Sequence, residues 1–293
     1  MASIKSKAFI VFLRLIRKKS FLKMQFDFGK FDFYQCPKPP KKIYDTCLVE
    51  QTFIQGRPVF TLHPKHSRSV KHILYLHGGA YVQNFVRQHW TFMAFLVQNL
   101  QCSITTPDYP LAPGFTYKDA FQMVIPLYKE LLDRVPAHNL ILMGDSAGGG
   151  FALALSQQLQ QEKVTQPGQL FLLSPWLDIS LTNPAIQAID PLDPFLGIEG
   201  LQKAGISYAG DTDVHNPMVS PINGSLAGLP SMYLFIGSRD ILAADARKLM
   251  VLMQKEKSTI HYYEYAEMVH VWMLMNFPES RKARDQIISL IKQ

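Results

Sequence analysis

The residues best placed for covalent chemistry are Gly144-Asp145-Ser146-Ala147-Gly148. They form a Gly-x-Ser-x-Gly run between the apolar Leu140-Ile141-Leu142-Met143 and the helix-like Phe151-Ala152-Leu153-Ala154-Leu155. Where such a run joins a buried strand to a helix, the turn is too sharp for side chains at its edges. It presents the serine hydroxyl for attack on a carbonyl carbon, so the chemistry on offer is acyl transfer. Negative charge then develops on the carbonyl oxygen and needs fixed N–H donors. His77-Gly78-Gly79-Ala80-Tyr81, directly after the apolar Ile73-Leu74-Tyr75-Leu76, brings backbone without Cβ atoms to such a position. Gly78 and Gly79 are assigned as loop donors and Ala147 as the donor after the nucleophile. His77 is read as shaping the loop, not as the base.

An attacking serine needs a base, and the base needs an acid to orient it. Asp240 follows the apolar Met232-Tyr233-Leu234-Phe235-Ile236 and the turn Gly237-Ser238-Arg239. That places it at the carboxyl edge of a sheet, where open α/β sheets hold their sites. The rival Asp245 falls a turn inside the helix-like stretch 241–256. Three histidines follow Ser146. His215 lies in a Pro-rich segment, His261 sits within the strand pattern 259–265, and His270 comes just after that strand. Position and order select His270 as the base and Asp240 as its partner.

The elements that must position these residues alternate along the chain. Residues 43–54 and 57–63 read as an antiparallel pair around Gln55-Gly56. Strand-like runs recur at 72–76, 102–106, 139–143, 169–173, 231–236 and 259–265. Helix-like stretches at 90–100, 118–134, 147–162, 241–256 and 279–292 lie between or after them. This order predicts an α/β fold with a mostly parallel central sheet and helices on both faces. Residues 178–228 break the alternation. They hold five prolines, one short helical stretch near 198–207, and large apolar residues such as Leu192, Phe195 and Tyr208. A connection this long carries a function or is disordered, and its apolar content argues for an ordered insertion.

Taken together, these motifs resemble the hormone-sensitive-lipase-like esterases, a branch of the α/β-hydrolases. The resemblance covers most of residues 70–293. It rests on the His77-Gly78-Gly79 loop, the Gly144–Gly149 elbow, Asp108-Tyr109-Pro110-Leu111-Ala112-Pro113, and Ser174-Pro175-Trp176-Leu177-Asp178. Gly114 stands where the family usually has Glu, Gly150 where Asn is common, and Asp240 is followed by Ile, not Pro. The resemblance implies a serine carboxylesterase acting on small to medium acyl esters, with no cofactor and no metal. It also implies a cap over Ser146, built from an N-terminal segment (residues 1–42) and the insertion at about 178–228 of the hydrolase domain (43–293). Tyr81, Trp176 and Phe195 are candidate pocket residues. Two other functions share the same motifs: an amide or sugar-ester deacylase, and a non-catalytic ligand-binding protein.

The net charge of +7 is concentrated at one end. Residues 1–42 hold eleven Lys and Arg against Asp27 and Asp32, a net +9, while the rest of the chain carries −2. That asymmetry argues against a nucleic-acid surface across the enzyme. Ile4 to Met24 mixes large apolar residues with Lys and Arg. It is too short and too charged to span a bilayer, and it lacks a secretory cleavage site. It suits a cap helix, or a helix lying on a membrane surface, or both. Three cysteines without metal or disulfide spacing favour a reducing, cytoplasmic compartment. The oligomeric state stays open, with a homodimer through the last strand and helix one arrangement the fold allows.

Overall fold

Consecutive strand residues alternate between two separate cores, and that alternation explains the near-continuous apolar strands. Leu74, Leu76, Leu142, Leu172 and Leu234 lie in one core. Ile73, Tyr75, Ile141, Phe171 and Phe235 lie in the other. A sheet covered on both faces needs apolar residues at every position, and each fully buried leucine contributes about 1.5–3 kcal/mol. The structure is a computed structural model that describes residues 2–293 except Phe33, Ser67, Arg68 and Lys257.

The strands are β1 (Cys47–Ile54), β2 (Arg57–Pro64), β3 (His72–Leu76), β4 (Ser103–Pro107), β5 (Leu140–Asp145), β6 (Gln169–Leu173), β7 (Ser231–Gly237) and β8 (Ile260–Tyr265). They form one sheet in the order β1-β2-β4-β3-β5-β6-β7-β8. β2 runs antiparallel to β1 and β4, and the remaining neighbours are parallel. The helices are α1 (Ile4–Leu15), α2 (Phe21–Phe28), α3 (Lys41–Tyr44), α4 (Arg87–Leu100), α5 (Tyr117–Arg134), α6 (Ala147–Gln161), α7 (Ile186–Ile189), α8 (Ile198–Ala209), α9 (Ala243–Lys255) and α10 (Pro278–Lys292). Residues of α5, α6 and α9 belong to the first core, and those of α4 and α10 to the second. None of the described helices is long and apolar enough to cross a membrane.

Two expectations at the N-terminal end need correction. The first strand starts at Cys47, because Lys41–Tyr44 closes into the short α3. The stretch from Ile4 to Met24 is not one helix. It breaks at Arg17, whose φ of +51° lies in the left-handed region, and α2 begins only at Phe21. Tertiary contacts hold the two arms in different places. α1 buries Ile10 and Leu13 and ties to the start of α10, where Ser3 Oγ donates to Glu279 at 2.9 Å and Phe9 packs on Phe277. α2 lies against α8. A Cβ at Gly200 would stand 2.7 Å from the Lys23 amide nitrogen, so the two helices approach only because Gly200 lacks one. Lys19–Asp190, Lys23–Glu199 and Lys203–Asp27 ion pairs line the same seam at 2.7–2.8 Å.

Candidate active site

Strand register brings the two glycine motifs side by side. Leu76, the last residue of β3, pairs with Gly144 of β5. The His77-Gly78-Gly79 loop therefore leaves the sheet next to the turn that carries Ser146. Ser146 has φ +54° and ψ −122°, a strained backbone for a side chain other than glycine's, and it caps α6. Such strain persists only where the surroundings enforce it. Here the Ser146 amide donates to Leu173 O at 2.9 Å and its carbonyl accepts from the Trp176 amide at 2.9 Å. A Cβ on Gly148 would overlap the Leu76 and His77 carbonyls, and one on Gly144 would overlap Gly148.

Three side chains from the ends of β5, β7 and β8 meet. His270 Nε2 lies 2.8 Å from Ser146 Oγ, and His270 Nδ1 lies 2.7 Å from Asp240 Oδ2. All three residues are buried. The other Asp240 oxygen accepts from the Leu242 amide at 3.0 Å, which fixes the carboxylate. Burial pulls the His270 pKa down, but the charge and hydrogen bond of Asp240 outweigh it and leave the ring above its ordinary 6.5. Asp245 lies elsewhere, accepting from Asn183 Nδ2 at 2.8 Å. Burial raises its pKa to about 6.

The loop assignments need one correction. Gly78 does not have a free amide, because it donates to Asp145 Oδ1 at 3.0 Å. Asp145 also accepts from Tyr75 Oη at 2.7 Å and lies 3.3 Å from His89 Nε2. Burial works against its charge, but His89 and these bonds hold the carboxyl below its usual range. Gly78 still has a steric role, since a Cβ there would stand 3.0 Å from the Ser146 Cβ. Among the described residues, the amides of Gly79 and Ala80 have no acceptor, and Ala147 opens α6, where amides have no intrahelical partner. His77 stacks on Tyr109 at 4.4 Å, and its Nδ1 lies 2.7 Å from Gly78 O. Burial lowers its pKa to about 3, so it stays neutral.

The pocket candidates separate. Tyr81 is buried, stacked on Tyr208 at 3.6 Å with Trp176 behind it, and Trp176 is fully buried. Phe195 is half-buried, with its ring 5.6 Å from that of His270. Lys18 Nζ lies 5.3 Å from the Phe195 ring, so the N-terminal segment reaches the site. Burial lowers the Lys18 pKa to about 8.

Two residues escaped the sequence reading. Asp145 occupies the unassigned second position of the elbow. Asp193 of the insertion accepts from the Phe195, Leu196 and Ile241 amides at 2.7–3.0 Å. Burial, followed by the nearby Asp240 charge, raises its pKa. Neither role has a sequence signal of its own, because the partners that tie each carboxyl to the site, Gly78 for Asp145 and Ile241 for Asp193, lie far along the chain. Among the described residues no group of three or more His, Cys, Asp or Glu could hold a metal ion.

Comparison with known proteins adds a family. A family model described as the alpha/beta hydrolase fold matches residues 73–274. An esterase from Acinetobacter venetianus is 33% identical over 216 residues, covering 72% of this chain and 71% of that protein. An acetyl-hydrolase from Streptomyces hygroscopicus is 29% identical over 214 residues, covering 72% of each. The crystal structure of an esterase from the bacterial hormone-sensitive lipase family has the same fold. It superposes with a TM-score of 0.84 at 23% identity, over 99% of this chain and 98% of that one.

Proposed function

Since this chain belongs to the α/β-hydrolase family and is a carboxylic ester hydrolase, we propose that it works through an acyl-enzyme on Ser146. The observation that carries this reading is the unbroken chain of short contacts from Ser146 Oγ through His270 to Asp240. His270 Nε2 takes the hydroxyl proton as Oγ attacks the ester carbonyl, and Asp240 stabilises the imidazolium that results. The amides of Gly79, Ala80 and Ala147 receive the oxyanion. Collapse of the tetrahedral intermediate expels the alcohol, which leaves with the proton from His270. Water, deprotonated by His270, then attacks the acyl carbonyl and releases the acid and Ser146.

Small to medium acyl groups are the proposed substrates. The Phe195 ring 5.6 Å from His270, with Lys18 of the N-terminal segment beside it, supports a confined acyl pocket. The acetyl-hydrolase name of one relative points the same way. Hydrolysis of p-nitrophenyl esters across acyl lengths, for wild type and Ser146→Ala side by side, tests both parts. A rate lost in Ser146→Ala and a profile falling beyond medium chains are expected. Equal rates in both proteins would remove Ser146 as nucleophile.

A further inference from the structure

α1 has two apolar faces, and only one is used by the fold. Ser6, Ile10 and Leu13 are buried and face the body of the protein. On the opposite face, Ile4, Ala8, Val11 and Leu15 follow helical spacing of four, three and four residues and form a single stripe. That stripe is in water: Ile4 is 87% exposed, Val11 55% and Leu15 77%, with Phe12 and Ile16 beside it at 52% each. A surface helix normally turns polar residues outward, and a contiguous exposed apolar patch marks an interaction site.

The flanks of the stripe are basic. Lys7 and Arg14, seven residues apart, run along one side, Lys5 lies on the other, and Arg17 follows the helix. All four are exposed, and among the described residues none forms an ion pair with an acid. The first acid in the chain is Asp27, already paired with Lys203. Beyond residue 42 the chain is net negative, so the excess positive charge lies in the N-terminal segment that carries this face.

We propose that the outer face of α1 is a docking surface for an anionic lipid bilayer. An outward apolar stripe with basic flanks is what an interfacial helix presents, with side chains in the acyl boundary and cations at the phosphates. The break at Arg17 lets α1 serve the lipid while α2 stays on α8. Lys18 lies just past that break, with its Nζ 5.3 Å from the Phe195 ring beside His270, so docking of α1 brings this side of the site toward the bilayer. This surface is independent of the chemistry assigned to Ser146.

The test is co-sedimentation of the full chain with phosphatidylcholine vesicles, with and without phosphatidylglycerol. Wild type is expected to pellet with the anionic vesicles and to be released by high salt. The double variant Val11→Ser, Leu15→Ser should bind about tenfold more weakly or worse, with an unchanged circular dichroism spectrum and unchanged hydrolysis of a water-soluble ester. The double variant Lys7→Gln, Arg14→Gln should lose the preference for phosphatidylglycerol. Absence of wild-type binding, or equal binding by the Val11→Ser, Leu15→Ser variant, would overturn the proposal. So would a wild-type dimer in light scattering that this variant converts to monomer, since the stripe would then belong to a second copy of the chain.

Discussion

Asp193 Oδ2 accepts a hydrogen bond from the amide of Ile241, the residue directly after Asp240, at 2.9 Å. Its other oxygen holds the Phe195 and Leu196 amides. One buried carboxyl therefore joins the insertion to the turn that carries the acid of the site. Asp193→Ala is expected to lower kcat about 10- to 100-fold, by loosening Asp240 and leaving buried amides unpaired. Asp193→Asn keeps an acceptor oxygen and should recover part of the rate. Because the Asp193 charge helps raise the His270 pKa, both variants should move the acid limb of kcat/KM to lower pH. An unmoved limb would reduce Asp193 to a packing role.

The proton inventory of His270 sets a pH dependence. The ring must be neutral to accept the Ser146 proton, and its raised pKa keeps it charged to higher pH than an ordinary histidine. Activity should therefore fall on the acid side with a midpoint above 6.5. Asp240→Asn removes the charge that raises the pKa. Its limb should shift downward while kcat drops by about 10⁴. A pH–rate profile of both proteins checks the sign.

Asp145 anchors the oxyanion loop through the Gly78 amide. Asp145→Ala leaves that amide and the buried Tyr75 hydroxyl without their acceptor. A loss in kcat of about 10²-fold is expected, comparable to losing one oxyanion donor. Asp145→Asn should be milder because its carbonyl oxygen still accepts. Equal kinetics for the two variants would remove the hydrogen bond from the account.

The seam between α2 and α8 depends on Gly200. Gly200→Leu puts a side chain against the Lys23 backbone, so α2 must move. Stability should fall by about 1–3 kcal/mol. Ester profiles should show changed KM and acyl-length preference with a smaller change in kcat, since no reacting group is touched. A shift in kcat alone would separate this seam from substrate selection.

Strand and helix placement were legible because they rest on local periodicity, whereas the sheet order β1-β2-β4-β3-β5-β6-β7-β8 is set by tertiary pairing. The preference for Asp240 over Asp245 was legible from its place just past a strand. What was not legible depends on partners distant in sequence. Nothing near Gly78 announces that Asp145, sixty-seven residues on, occupies its amide. Nothing in the sequence around Tyr81 signals the ring of Tyr208, far along the chain, stacked on it. Arg17 has no glycine or proline beside it to signal a helix break, and contacts of the two arms with α10 and α8 decide it.

The three residues of the site hang from different strands, and they do not share one fate. β8, which delivers His270, is the last strand of the sheet, and its residues are half-buried or exposed. β5, which delivers Ser146, is buried throughout. Edge elements open at lower free energy than central ones. On warming, the protein is expected to lose its base while the elbow and most of the sheet are still native, so turnover should fade at a lower temperature than the far-ultraviolet signal. Cooling before the centre melts would then restore the enzyme by re-docking one strand, without refolding the chain.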